Sequence, residues 1–293
     1  MTGKIREESR ELRAGGRTFR IDLFKEDLGS TYPGMIRYTV MLCEGDSVLA
    51  TFRTNTYEYS PTVPYRAEDV ARSELARWEE DIARDWEGFF DGMKRPVVSH
   101  SPSSAPDVVI IQGSPRPGGN CSLLASWAQD ESQRLGREVS VIFPHDLDIH
   151  PCIGCYQCYN TGECIFEDDM AGVLSAVAGC HLVVVCTPVY TNTVPAGTKA
   201  LIDRFQALHA LRTIDTHPPE KTRGILMAVA GRRGRENFRC VSLVVSAFFS
   251  LIGINPREPV LVDGMDEHRD VRAIPGLEEK VREAVRAAVE EGG

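Results

Sequence analysis

From Asp107 onward, short apolar runs alternate with stretches able to form amphipathic helices, and this alternation restricts the fold more than any other feature of the chain. The runs are Asp107–Gln112, Val139–Phe143, Leu182–Cys186, Ile225–Ala230 and Val260–Val262. Helix-compatible stretches separate or follow them, at Leu123–Leu135, Asp169–Ala178, Ala196–Leu211, Val241–Ile252 and Leu277–Val289. Strands that are apolar along their whole length are covered on both faces. A helix between successive strands makes them parallel, in a doubly wound α/β sheet. Such sheets bind ligands at the carboxyl ends of their strands.

Five strands suit a flavodoxin-like order. The residues before them read differently. Arg17–Phe24, Met35–Cys43 and Ser47–Tyr57 are rich in β-branched and aromatic residues, punctuated by Gly29, Pro33, Gly34 and a Glu44-Gly45-Asp46 turn. Arg66–Phe90 follows as a charged helix whose apolar period runs through Val70, Leu75, Trp78, Ile82, Trp86 and Phe89. The expected organisation is a small α+β domain over residues 1–95, a Pro/Ser-rich linker over 96–106, and a flavodoxin-like domain over 107–293. The first domain shows no motif, and no internal repeat is visible.

A formal charge of −9 argues against non-specific nucleic-acid binding, which needs a dense cationic surface. The longest apolar stretch, Phe238–Ile254, is broken by Arg239 and falls short of the roughly 20 residues that cross a bilayer. It reads as a buried or subunit-interface helix, with no membrane partner. The charged start MTGKIREESRELR has no apolar signal region, and the chain contains 9 cysteines. Together these place the protein in a reducing compartment, the cytoplasm, where clustered thiols bind metal or do redox work.

Gly113-Ser114-Pro115-Arg116-Pro117-Gly118-Gly119-Asn120-Cys121-Ser122 leads from the first strand into a helix. Free N–H groups at a helix start bind phosphate. The Rossmann spacing is absent, and Asn120 stands where a Walker loop has lysine, so the loop suits a monophosphate such as FMN better than a nucleoside triphosphate. An ordinary Gly/Pro turn capping a helix would have the same composition; the position after the first strand favours binding. Cys152, Cys155, Cys158 and Cys164 are spaced C-x2-C-x2-C-x5-C. That spacing suits a cubane iron–sulfur cluster. Zinc held by four thiolates, or thiols without metal, are the alternatives. His145 and His150, just upstream, read as surface or capping residues, and Asp168 and Asp169 as caps of the next helix.

With Thr187-Pro188-Val189-Tyr190-Thr191-Asn192-Thr193-Val194-Pro195 and Lys199–Phe205 added, the order of motifs resembles the NADPH-dependent FMN reductase family. Within it, the chain looks most like the iron–sulfur flavoproteins, over about Asp107–Gly293. The resemblance implies FMN bound near a subunit interface in a homodimer or homotetramer. It carries Ser114, Arg116, Asn120, Cys121 and Ser122 to the FMN phosphate. Pro188, Val189, Tyr190, Thr191 and Asn192 would lie along the ribityl chain and ring, with Gly231 opening a third loop against the flavin. Cys152, Cys155, Cys158 and Cys164 would hold a [4Fe–4S] cluster. One departure stands out: the family usually has Thr or Ser where Cys121 stands, and a thiol is the weaker donor.

The expected function is an FMN-dependent NAD(P)H oxidoreductase, transferring electrons from NAD(P)H or a ferredoxin to a small-molecule or protein acceptor. The alternatives are a non-enzymatic FMN and iron–sulfur electron carrier, and a zinc-stabilised flavodoxin-like binding module. No catalytic acid or base is assigned, and Tyr190 packs on the flavin or hydrogen-bonds to it. The basic run Arg232, Arg233 and Arg235 reads as a solvated loop or a contact for a nicotinamide-nucleotide phosphate. Cys43, Cys180, Cys186 and Cys240 read as small buried residues.

Overall fold

Strands β1 (Ile5–Ala14), β2 (Arg17–Asp27), β3 (Ile36–Glu44) and β4 (Ser47–Asn55) form an antiparallel meander in the computed structural model. The structure describes residues 4–30, 32–59, 64–93, 105–214 and 222–290. Gly15 and Gly16, at φ +57° and +76°, make the tight turn between β1 and β2, where two consecutive left-handed residues favour glycine. One sheet face is apolar: Phe19, Ile21 and Leu23 of β2 and Tyr38, Val40 and Leu42 of β3 pack on the helix Ala67–Met93. Ala67, Ala71, Leu75, Trp78 and Ile82 recur on that helix at helical spacing and complete the core.

The sequence pattern predicts no strand before Arg17, and β1 corrects it. The half-buried positions of β1 are Glu8, Arg10, Leu12 and Ala14. The first two meet the helix through ion pairs, Glu8 with Arg72 at 2.8 Å and Arg10 with Glu79. A strand whose inner face is partly filled by charge carries no apolar alternation. Residues Gly154–Ile165 also group with this amino-terminal unit, Met1–Ser99, rather than with the chain around them.

The second unit comprises His100–Ile153 and Phe166–Gly293. Its strands β5 (Val108–Gln112), β6 (Val139–Ile142), β7 (Leu182–Pro188), β8 (Arg223–Val229) and β10 (Val260–Val262) are parallel in the order β10-β8-β7-β5-β6, and the two-residue β9 (Asn255–Pro256) adds to β8. This is the expected flavodoxin-like sheet. Residues of β5 alternate between two cores. Val108 and Ile110 meet helices Asn120–Arg134 and Leu277–Glu290, while Val109 and Ile111 meet helices Met170–Ala178, Ala196–Arg204 and Arg239–Leu251. Burial on both faces is what an unbroken apolar run encodes. The single helix expected over Ala196–Leu211 is two, Ala196–Arg204 and Gln206–Ile214, with a bend at Phe205, whose ring is fully buried 4.8 Å from that of Phe248. Most of the expected 96–106 linker lies outside the described residues.

The chain order reverses at β5, since β6 lies on one side of it and β7 on the other. Loops leaving neighbouring strands in opposite directions open a crevice at the carboxyl edge. No helix among the described residues is long and apolar enough to cross a membrane.

Candidate functional site

That carboxyl edge carries a cavity of about 1020 Å³, lined by the loops after β5, β7, β8 and β10. Gln112, buried at the end of β5, organises the first loop. Its Oε1 accepts from Ser114 N at 3.0 Å and its Nε2 donates to Ser122 Oγ at 2.7 Å. Ser114 Oγ then accepts from Arg116 N at 3.2 Å. Gly113 N donates to Cys186 O at 2.7 Å, and Thr198 Oγ1 donates to Gly113 O at 3.2 Å. These bonds tie the loop to β7 and to the helix behind it. The helix that follows has Gly119 as its N-cap and no side-chain cap, and Gly119, Asn120 and Cys121 line the cavity. An uncapped helix start on a cavity wall offers N–H donors and positive potential to an anion.

Asn120 does not present its amide to the cavity. Its Nδ2 donates to Arg269 O at 3.0 Å and its Oδ1 accepts from Val271 N at 3.1 Å, tying the first loop to the loop after β10. Cys121 is 3% exposed, its thiol pushed up to about 12 by desolvation, so it stays protonated and packs in the core. Ser114 and Arg116 line the cavity; Ser122 sits behind the loop on Gln112.

In the second loop, Pro188, Val189, Tyr190, Thr191 and Asn192 all line the cavity. Tyr190 and Thr193 exchange two main-chain bonds of 2.8 and 2.9 Å around Thr191 and Asn192, whose φ angles are +44° and +67°. Arg269, at φ +59°, is a third non-glycine residue in this strained region on the cavity wall. Such backbone persists where the surroundings over-determine it, and it clusters at functional sites.

Gly231 opens the third loop as expected, and a Cβ there would run into the Asp266 carboxylate. The loop after β10, with Met265, Asp266, Arg269, Asp270 and Arg272, has no counterpart among the residues expected from sequence. It is stitched to the third loop by Met265 N to Ala230 O at 3.1 Å and Asp266 N to Gly231 O at 2.9 Å. Of the basic run, Arg232 reaches the cavity, while Arg233 pairs with Glu267 at 2.5 Å. Arg272 is held by Asp270, but no ion pair engages Arg116, Arg232 or Arg269 among the described residues. Three guanidinium groups outside ion pairs and an uncapped helix start suit a phosphate-bearing ligand, so the residues present fit FMN.

Asp168 does more than cap the next helix. Its Oδ1 accepts from Met170 N at 3.1 Å and Oδ2 from His150 N at 3.0 Å, and the two oxygens take a bidentate pair from Arg204 at 2.9 and 2.6 Å. Desolvation pushes this carboxyl up, but the Arg204 bond and the two backbone N–H groups outweigh it and hold it below the usual carboxylate value. Asp169 Oδ2 accepts from Asp148 N at 2.8 Å. His150 stacks on Phe166 with centroids 5.0 Å apart. The two ends of the cysteine segment are therefore joined at its base. Cys152 and Cys155 are exposed, Cys158 and Cys164 partly so, and no disulfide engages any of them. The donor set is chemically suited to a cluster, four thiols on one segment, although no group of three or more Cys, His, Asp or Glu is drawn together for a metal among the described residues.

Residues 106–263 match the family described as NADPH-dependent FMN reductase. An iron–sulfur flavoprotein of Archaeoglobus fulgidus is 31% identical over 144 residues, 48% of this chain and 67% of that protein. One of Methanocaldococcus jannaschii is 37% identical over 101 residues, 34% of this chain and 52% of its own length. One of Methanosarcina thermophila is 33% identical over 94 residues, 32% and 49%. The chain thus spans about half the length of several curated relatives it matches. Among solved structures, an azoreductase of Bacillus anthracis aligns at TM-score 0.47 with 16% identity, covering 62% of this chain and 98% of that one.

Proposed function

The chain belongs to the NADPH-dependent FMN reductase family, in its iron–sulfur flavoprotein branch, and from that premise we propose that it is an FMN-dependent oxidoreductase. The observation that carries this reading is the four-loop cavity built over an uncapped helix start. Ser114 and Arg116, with main-chain N–H groups of Gly119–Cys121, would hold the FMN phosphate, assisted by Arg269. Pro188–Asn192 and Gly231 would flank the ribityl chain and ring, Tyr190 packing against the ring or hydrogen-bonding to it. Bound FMN accepts a hydride as a two-electron unit and can release electrons singly.

The chain's own residues orient this group rather than move protons. The rigid Tyr190–Thr193 turn fixes one wall, and the Asn120 bridge to Arg269 and Val271 fixes the loop opposite the phosphate end. Cys152, Cys155, Cys158 and Cys164 would hold a [4Fe–4S] cluster, which passes electrons one at a time. NAD(P)H is the donor we assign, with ferredoxin as the one-electron alternative; the acceptor is a small molecule or a redox protein. The clustering of cysteines in one segment supports a reducing compartment, the cytoplasm. A homo-oligomer is the assembly we assign.

The test begins with anaerobically purified protein. Its absorption spectrum, iron and sulfide are measured together, and NADPH or NADH is then added. Flavin bands over a broad shoulder, about four irons per chain and bleaching by a nicotinamide nucleotide are the expected results. Flavin without iron removes the cluster. Reduction by ferredoxin alone removes the NAD(P)H assignment, and no flavin at all overturns the reading.

A further inference from the structure

Asn160 stands between Cys158 and Cys164, and it is 5% exposed. Every polar group of this residue's side chain is used. Its Oδ1 accepts from Asn55 Nδ2 at 3.2 Å, and its Nδ2 donates to Glu58 Oε1. Its main-chain oxygen accepts from Arg53 Nη1 at 3.4 Å. Glu58 Oε1 also accepts from Asn55 N at 3.2 Å and Asn55 Nδ2 at 2.8 Å, while Asn55 Oδ1 accepts from Tyr57 N at 3.0 Å. The turn after β4 is thereby locked from within and presents a fitted polar socket to Asn160.

Two aromatic contacts extend the grip. Tyr57 meets Tyr156 edge-on at 5.1 Å, and Tyr32 meets Tyr159 at 5.3 Å with their hydroxyls hydrogen-bonded. Tyr156 has φ +58°, a left-handed conformation that a tyrosine keeps only where its surroundings enforce it. It lies between Cys155 and Cys158, so the conformation held by Tyr57 sets the backbone path between two cysteines. Gly162, at φ +82°, ends the short helix Cys158–Thr161. A buried amide bonded through both its oxygen and its nitrogen specifies one geometry, where an apolar contact of equal size would tolerate several.

We infer that the amino-terminal sheet is the scaffold of the cysteine segment: Asn55, Glu58 and their aromatic neighbours clamp residues 154–165 in one conformation. Cys155, Cys158 and Cys164 are thus carried by a preformed backbone. The consequence for metal rests on the cluster reading above; the clamp itself does not.

The experiment uses the full-length chain with Glu58→Ala, Asn160→Ala, Tyr32→Phe and the conservative Glu58→Gln, which keeps the acceptor oxygen. Hydrogen exchange is read by mass spectrometry on chelator-treated protein, comparing peptides over 154–165 with those over β7 and β8. Losing the buried bonds exposes 154–165 to exchange about tenfold faster in both alanine variants. The peptides of β7 and β8 stay unchanged, and Glu58→Gln stays near wild type. In anaerobic preparations, iron per flavin falls in the alanine variants while flavin per chain holds. Unchanged exchange over 154–165 in both overturns the clamp. If the alanine variants misfold, Tyr32→Phe decides: faster exchange confined to 154–165 supports the clamp, and no change overturns it. Wild-type protein without iron refutes the cluster reading and leaves the exchange arm to decide the clamp. Faster exchange with iron unaltered overturns the link to metal.

Discussion

Replacing Asp168 by alanine leaves a guanidinium group buried without its partner. Arg204 and Asp168 side chains are 1% and 3% exposed, so solvent screens almost nothing of their bidentate pair. Removing one partner of such a pair costs about 3–5 kcal/mol, because the other charge stays buried after losing both bonds of the pair. The same change strips acceptors from His150 N and Met170 N. For a domain of this size the loss lowers the melting temperature by roughly 10 °C. Urea unfolding of metal-free protein measures it directly. Adding Arg204→Leu removes the buried charge and recovers about half of the loss; the remainder belongs to the two backbone N–H groups and to the His150 carbonyl, which loses its Arg204 donor. A loss below about 1 kcal/mol, or a double variant no more stable than the single one, would refute the reasoning. The pH dependence has a fixed sign. The Asp168 carboxyl is held below its usual value when folded, so its contribution is complete above the unfolded value. It is lost as pH falls through the folded one. The acid limb of the wild-type stability curve, below about pH 4, should therefore be steeper than that of Asp168→Ala.

Further outcomes concern the cavity and the residues behind its wall. Gly113→Ala places a Cβ 2.5 Å from Thr198 Oγ1 and 3.3 Å from Cys186 O, and Gly231→Ala meets only the movable Asp266 carboxylate. Flavin-fluorescence titration of apoprotein should show FMN weakened about tenfold by the first and much less by the second. Asn120→Ala leaves Val271 N without its acceptor, and the same titration should report about tenfold weaker FMN with the fold intact. Burial pushes the Cys121 thiol up to about 12, so in apoprotein at pH 8 iodoacetamide should alkylate Cys152 and Cys155 and spare Cys121, as peptide mapping would show. A raised folded value gives stability that is complete below the unfolded thiol pKa of about 8.5 and lost as pH rises towards 12, so Cys121→Ala should flatten the alkaline limb.

The sheet was legible because parallel strands covered on both faces leave unbroken apolar runs, as in β5 and β7. Ser114, Arg116, Pro188–Asn192 and Gly231, which the family resemblance carried over, lie in loops that leave the carboxyl ends of such runs, and all line the cavity. Strand β1 was hidden because ion pairs occupy part of its inner face. The loop with Asp266, Arg269 and Arg272 was missed because β10 is only 3 residues long and no local motif marks the residues beyond it. A polar residue ending a buried strand, Gln112, was the available signal for the organiser of the first loop. The grouping of 154–165 with the amino-terminal sheet had no local signal, because its main bond partners lie 102 and 105 residues away in the chain.

The closed base of the cysteine segment also has an entropic consequence. His150 and Asp168, 18 residues apart, are already joined, so the sheet never senses how much chain runs between them. Closing a loop costs free energy that grows only with the logarithm of its length, and doubling this one would add about 0.6 kcal/mol. The segment is thus a cassette. Residues could be inserted on either side of the clamped stretch 154–165 at a cost far below the stability of a folded domain, while the flavin cavity keeps its shape.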